Sequence, residues 1–246
     1  MMEIGLVVLL VVTVKMFDVS LERSTTPVLS EVQESWTVET PELSVAAEDD
    51  LADQQEEAET TAAEVILPGQ YPIMGLSGVT AAELVAYFRT SGLPYPEAVL
   101  ASGGADSIEA FCQMFIEEAE TEGVRPEVAF VQTMKETGWL QYGGDAAIEQ
   151  FNFAGLGTTG GGVPGHDFSD VRTGIRAQVQ HLKAYASEEE LVQACVDERY
   201  DYVPRGSAPY VEWLGQQENP GGHGWATGEN YGYSIVEMIH KLRDMK

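Results

Sequence analysis

The 246-residue chain is short of positive charge, of cysteine and of long hydrophobic runs. Thirteen Lys and Arg stand against forty Asp and Glu, a formal charge of −27. A surface of that sign repels nucleic-acid phosphates and anionic lipid headgroups, so no nucleic-acid partner is expected. The two cysteines, Cys112 and Cys195, have neither zinc-ligand spacing nor a C-x-x-C redox pattern. Cys112 lies in the helical run Phe111-Cys112-Gln113-Met114-Phe115-Ile116, where a buried thiol is the expected state. A bridge to Cys195 is the alternative in an exported protein. His166, His181, His223 and His240 show no ligand spacing, so no metal site is expected. Thr158-Thr159-Gly160-Gly161-Gly162 lacks the Gly-Lys-Ser/Thr of a phosphate loop, and no cofactor is expected. Neither a serine-histidine nor a cysteine-histidine hydrolase motif is present, and no run of strand length stands out.

What is there divides the chain in three. Residues 4–14 are apolar apart from one Thr, shorter than the roughly 20 residues a spanning helix needs and closer to a signal-peptide core. The flanking Met1-Met2-Glu3 lacks the basic residues of an export signal. Counting Met16 and Phe17 with a snorkelling Lys15 makes the segment a marginal anchor. An export signal or anchor over 1–17 is the reading, with a buried strand as the alternative. Residues 18–66 are rich in Thr, Ser, Glu and Pro, with charge clusters at Glu48-Asp49-Asp50 and Glu56-Glu57. The first 67 residues carry fifteen acids and two bases. Such a segment cannot bury enough apolar surface to offset its ordering entropy, and an extended acidic tether is expected.

From 67 to 246 helical periodicity takes over, and the predicted class is mainly α with at most a small β-hairpin around 157–167. Ser77 or Thr80 can cap a helix over 81–90, where Leu84, Val85 and Phe88 share a face. Ser107 caps a longer one with Ile108, Phe111, Cys112, Phe115, Ile116 and Ala119 at helical spacing. Pro126 suits a first helical turn and opens a third helix ending at Lys135 or Glu136. Two more are read over 171–186 and 230–245.

The third helix carries the chemistry. Val124, Val128, Val131 and Met134 form its buried stripe, and Ala129, Gln132, Thr133 and Glu136 form a neighbouring one. Glu136 falls in the last turn, before Thr137-Gly138. The negative end of the helix dipole and an apolar neighbour such as Trp139 both disfavour its ionised form. Both effects suit a general acid near neutral pH. The plain alternative is an exposed Glu at a fraying helix end.

Four motifs in order sharpen this. They are Lys135-Glu136-Thr137-Gly138-Trp139, Asn152-Phe153-Ala154-Gly155-Leu156-Gly157, Phe168-Ser169-Asp170-Val171-Arg172-Thr173-Gly174-Ile175, and Trp225-Ala226-Thr227-Gly228-Glu229-Asn230-Tyr231. The set resembles the glucosaminidase domains of glycoside hydrolase family 73, lysozyme-like endo-β-N-acetylglucosaminidases of cell-wall turnover. The resemblance implies a lysozyme-like helical fold and peptidoglycan glycan strands as substrate. It implies Glu136 and Tyr231 as catalytic residues and a cleft built with Trp139, Asn152, Phe153, Gly155, Trp225 and Thr227. Trp213 and Tyr142 are further aromatic candidates for stacking on sugars, and core packing is the competing role for these two and for Trp139 and Phe153. Ala154 stands where relatives usually carry Phe. Relatives often supply a second acid from a hairpin; here Asp167, Glu149 and Asp170 are the candidates. A substrate whose own 2-acetamido group attacks would need none of them. A muramidase or lytic transglycosylase of the same fold, and a wall-binding module without turnover, are the competing functions. The expected setting is extracellular or wall-associated, with membrane contact only through the N-terminal segment and a monomeric domain.

Overall fold

The computed structural model describes residues 66–158 and 161–245, which fall in the compact unit Ala63–Lys246. The segment expected as an export signal or anchor (1–17), and all but the last residue of the one expected as an acidic tether (18–66), lie outside the described residues. Six helices follow one another: α1 (Ala81–Thr90), α2 (Glu97–Leu100), α3 (Ile108–Glu122), α4 (Pro126–Glu136), α5 (Val171–Ala186) and α6 (Tyr231–Arg243). Among the described residues there is no strand. Three isolated bridges, Pro72 with Tyr210, Met74 with Val124 and Gly215 with Ala226, are the only β pairing there. At the position considered for a hairpin, the His166 N–H donates to Leu156 O at 2.9 Å without a ladder forming.

The helix starts follow local chemistry. Thr80, not Ser77, caps α1 through a capping box with Glu83, and Ser107 Oγ accepts from the Ala110 N–H at the start of α3. Pro126 occupies the first turn of α4, where its missing N–H costs nothing. Asp170 caps α5. α6 begins one residue later than the sequence suggests and ends at Arg243, because Asn230 takes a left-handed φ of 58° as its cap. The short α2, which follows directly on Pro96, has no counterpart in the sequence reading.

α4 is the axis of the domain and packs against α1, α3, α5 and α6. Every residue from Pro126 to Met134 is buried, so α4 has no solvent face before its last two residues, and the polar residues of that stretch must find partners inside the protein. Phe111, Phe115, Phe130 and Phe153 pack edge to face around it, with centroids 5.2–5.5 Å apart. Cys112 is buried and free, and Cys195 is exposed and free; the bridge considered from sequence is not formed.

Two glycines let the helices come close enough to build a site. A Cβ on Gly174, in α5, would lie 1.9 Å from Phe151 O, so α5 can press on the 151–156 loop only through glycine. A Cβ on Gly232, the second residue of α6, would lie 2.2 Å from Val211 O and 2.6 Å from the Glu212 Cα. The start of α6, with Tyr231, is therefore seated directly on the 211–214 turn. On the far flank, Lys183 of α5 meets Glu122 of α3 at 3.0 Å, both almost fully buried.

Candidate active site

The chain turns sharply after Glu136. Gly138, Trp139, Leu140, Tyr142 and Gly143 all have positive φ, and three of these are not glycine. Left-handed backbone costs an ordinary residue about 1–2 kcal/mol, and such strain gathers at functional sites. The turn is held by the Trp139 N–H to Met134 O at 2.8 Å and the Tyr142 N–H to Thr137 O at 2.7 Å. The Leu140 N–H donates to Thr137 Oγ1 at 2.9 Å. The result is a depression of about 290 Å³ whose floor and rim include Glu136, Tyr142, Asp145, Asn152, Gly155 and Thr158. A larger hollow of about 490 Å³ runs along Tyr95–Ala101, with Glu97 as its one carboxylate. A third, of about 420 Å³, is lined by Glu212, Tyr71 and Arg243. The smallest of the three is the one in which a carboxyl at a helix end meets a buried chain of hydrogen bonds.

Glu136 keeps one side open to solvent while protein surrounds the rest of its carboxyl. That burial pushes it above the usual carboxylate range; the hydrogen bond from Tyr231 and the charge of Lys135 pull downward without cancelling it. The Tyr231 hydroxyl donates a short hydrogen bond to Glu136 Oε1. Burial, and then the charge of Glu136, hold the Tyr231 phenol well above its ordinary value, so it remains a donor. Behind it the Gln132 side-chain amide donates to the Tyr231 oxygen at 3.1 Å. Gln178 of α5 donates in turn to Gln132 Oε1 at 2.9 Å. The Lys135 ammonium sits 5.4 Å from the Tyr231 ring centroid. A carboxyl whose neutral form is favoured by burial and which opens onto a groove can deliver a proton to a bound group, which is general-acid chemistry.

The glucosaminidase family model, described as mannosyl-glycoprotein endo-beta-N-acetylglucosaminidase, matches residues 112–244, more than half of the chain. The chain belongs to this family. An uncharacterized protein of Borreliella burgdorferi is 39% identical over 135 residues, covering 55% of this chain and 63% of that protein. The match thus spans less than two thirds of the relative's length. No solved structure matches the chain.

Within the glucosaminidase domain, the residues singled out from sequence separate into those at the depression and those behind it. Asn152 and Gly155 line it. The Asn152 amide is spent on the wall itself: Nδ2 donates to Leu156 O at 2.9 Å and His166 O at 3.1 Å, and Oδ1 accepts the Leu156 N–H at 2.9 Å. Asn152 therefore braces the loop rather than offering its amide to a ligand. Tyr142 lines the depression, and its hydroxyl donates to Asn152 O at 3.1 Å. Of the two roles open to Phe153 the structure shows core packing: it is fully buried, edge-on to Phe111 at 5.2 Å, and has no face for a sugar. Trp139 leans on Tyr87 and Phe88, 5.1 and 6.4 Å between centroids, and is not among the residues lining the depression. Trp213 packs on Tyr210 at 5.1 Å.

Trp225 is half-buried and set edge-on against His181 at 4.8 Å. His181 is pinned from behind by Asp197, Nδ1 to Oδ2 at 2.6 Å. Thr227 is exposed, with its carbonyl accepting from Gln217 Nε2 at 2.7 Å. Ala154 joins Leu156 and Ala177 in a small apolar group against which Phe168 and Trp225 pack. These rings take up space beside the small residue.

None of the three acids considered as a second carboxylate lines the depression. Asp170 Oδ1 accepts the Thr173 N–H at 2.8 Å as the cap of α5. Burial of Asp170 is outweighed by that bond and by Ser169 and Thr173, which hold its carboxyl below the usual range. Asp167 and Glu149 are exposed, and Glu149 acts on the site only by adding to the burial that raises the Tyr142 phenol. The carboxylate that does line the depression with Glu136 is Asp145. Sequence reasoning passed over it because Gly143-Gly144-Asp145 looks like an ordinary polar turn. An acid right after a double glycine, nine positions beyond Glu136, was the available signal.

Proposed function

We propose that the domain hydrolyses the glycan strands of bacterial peptidoglycan as an endo-β-N-acetylglucosaminidase, with Glu136 as the general acid. The observation that carries this reading is the open carboxyl of Glu136, raised by burial and bonded to Tyr231 at the end of α4. In the proposed step Glu136 protonates the glycosidic oxygen as the bond to the anomeric carbon breaks, and the leaving sugar departs as an alcohol. The positive charge that develops is met by the 2-acetamido oxygen of the same N-acetylglucosamine, and water then opens the cyclic intermediate. Tyr231 in this scheme holds Glu136 rather than the acetamido group, since its oxygen already serves both Glu136 and Gln132. Trp225 and Thr227 are proposed as the outer wall of the glycan groove. The proposed setting is outside the cytoplasm, at the wall, as a monomer.

A second reading of the attack step rests on Asp145. It shares the depression with Glu136, and in this reading it activates a water on the opposite face of the sugar. Inversion at the anomeric carbon would follow, whereas participation of the acetamido group gives retention.

Digestion of purified walls followed by borohydride reduction tests the bond assignment. N-acetylglucosaminitol at the new ends is expected. Muramitol ends would make the protein a muramidase, and 1,6-anhydro ends a lytic transglycosylase. Wall binding without any new ends would leave a non-catalytic module.

A further inference from the structure

The stripe Ala129, Gln132, Thr133 and Glu136 on α4 meets Gln178 of α5 and Tyr231 of α6 in one chain of hydrogen bonds. Gln132, Thr133 and Gln178 are completely buried, and Tyr231 nearly so. Gln178 Nε2 donates to Ala129 O at 2.9 Å and to Gln132 Oε1 at 2.9 Å, while Gln178 Oε1 accepts from Thr133 Oγ1 at 2.7 Å. Gln132 Nε2 donates to the Tyr231 oxygen at 3.1 Å, and the Tyr231 hydroxyl donates to Glu136 Oε1.

The sense of this chain is determined at one end. A backbone carbonyl can only accept, so the group of Gln178 facing Ala129 O must be its NH₂. Turning the Gln178 amide over would set two acceptors against each other in a dry interior, at a cost of about 1–3 kcal/mol. With Gln178 fixed, the oxygen of Gln132 must face it, and the NH₂ of Gln132 must face Tyr231. The Tyr231 oxygen is then an acceptor toward Gln132, and its single hydrogen has Glu136 Oε1 as its acceptor.

We infer that Gln178 and Gln132 are positioning residues that aim the Tyr231 hydroxyl proton at Glu136 Oε1 and so confine the acidic proton of Glu136 to Oε2. Because Oε1 already receives a hydrogen, a protonated Glu136 carries its own on the other oxygen, where it can be given away. Without the relay, Glu136 can turn its proton inward onto the free lone pairs of Tyr231. That arrangement stabilises the neutral acid and withholds the proton from a ligand. The other charged groups facing this carboxyl are Lys135 on α4 and Asp145 on the rim. Neither belongs to the relay. The inference rests on Glu136 being the acid of the reaction proposed above.

The test uses the full chain carrying Gln132→Met and, separately, Gln178→Met, each alone and combined with Tyr231→Phe. The Glu136 carboxyl is titrated by ¹³C NMR without substrate, and wall turnover is followed against pH. Each single variant is expected to lower kcat about tenfold with KM within about twofold, and to move the Glu136 titration upward by about half a unit. In the Tyr231→Phe background the same replacements should change neither quantity further, because the relay then has no hydroxyl to aim. Equal effects in both backgrounds, or no shift in either, would overturn the inference and reduce the glutamines to packing. The titration needs no substrate, so a failure of the glucosaminidase reading leaves it legible. Should the variants not fold, the unmutated protein still decides. The Tyr231 hydroxyl proton should give a low-field ¹H signal, cross-relaxing with the Gln132 amide, on both sides of the Glu136 titration. A signal seen only while Glu136 is protonated would mean the proton belongs to Glu136 and would overturn the relay.

Discussion

Gly232→Ala tests whether the seat of α6 sets the geometry around Glu136, using a residue that touches neither the carboxyl nor the depression. The new Cβ would sit 2.2 Å from Val211 O and 2.6 Å from the Glu212 Cα, where ordinary contact begins near 3.4 Å. Both obstacles are backbone, so the start of α6 must recede by about 1 Å for the methyl to fit. Tyr231 precedes Gly232 and moves with it, and its short bond to Glu136 and its 3.1 Å bond from Gln132 both lengthen. Misplacing a catalytic group by about 1 Å costs roughly 100-fold in rate, and we expect kcat to fall by about 10- to 100-fold. Overpacking costs about 1–3 kcal/mol. Alanine recovers less than about 1 kcal/mol of helix propensity, because the position is in the first turn. A net loss of about 1–2 kcal/mol lowers Tm by roughly 2–8 °C in a domain of this size. Turnover of purified walls and thermal unfolding of the same preparation supply both numbers. A folded Gly232→Ala protein with kcat within twofold of wild type would refute the claim that this close approach positions Tyr231.

Three further outcomes follow from other parts of the molecule. Lys183→Met should destabilise the fold by about 3–5 kcal/mol in urea titrations, because it leaves Glu122 buried without its cation and with only the Val192 and Gln193 N–H groups; a loss under about 1 kcal/mol would mean Glu122 simply takes up a proton. Burial of Glu118 and Glu122 is outweighed by their bonds to Arg172, Arg176 and Gln193, and to Val192, Gln193 and Lys183, which hold both carboxyls low. Carboxyls lowered in the folded state stabilise it above the unfolded value near 4.3 and cease to do so as pH falls through the folded value, so Tm should drop below about pH 4; a Tm unchanged down to pH 3 would contradict this. Asp145→Asn separates the two attack steps: loss of more than about 100-fold with rescue by azide as the α-glycosyl azide identifies a base, and activity within about fivefold leaves the acetamido route.

The sequence was most readable where a local rule decides the outcome. Pro126 and Thr137-Gly138 bracket α4, and this placed Glu136 at a helix end before any tertiary contact was known. Ser77 or Thr80, and Ser107, mark two further helix starts by their hydroxyls, and Thr80 is the cap that forms at the first. The motif ending in Tyr231 pointed to a residue that the fold brings into hydrogen-bond contact with Glu136. The parts that escaped depend on contacts distant in sequence or on backbone that side-chain patterns do not encode. The stripe of Gln132 and Thr133 was visible, yet its partner Gln178 lies 46 residues away on another helix. Nothing in Trp139, Leu140 or Tyr142 announces left-handed backbone; the turn is imposed by Thr137 and by the packing of Leu140. Phe153 reads from sequence equally as a cleft ring or a core ring; the glycine at 174 lets that loop close onto α5, and the ring stands in the core. Asp170 was read as a catalytic candidate where a simpler local rule, an acid just before a helix, already accounted for it.

The central claim is that Glu136 delivers the proton that breaks the glycan bond, and Glu136→Gln tests it most directly. Glutamine keeps the size of the side chain and an oxygen to accept from Tyr231, but it has no acidic proton to give. Release of soluble fragments from purified walls should be measured alongside binding of the same walls and the melting temperature. The account predicts that release falls by at least about 1,000-fold, while binding and Tm remain close to wild type. Release within about fivefold of wild type from the folded variant would contradict it.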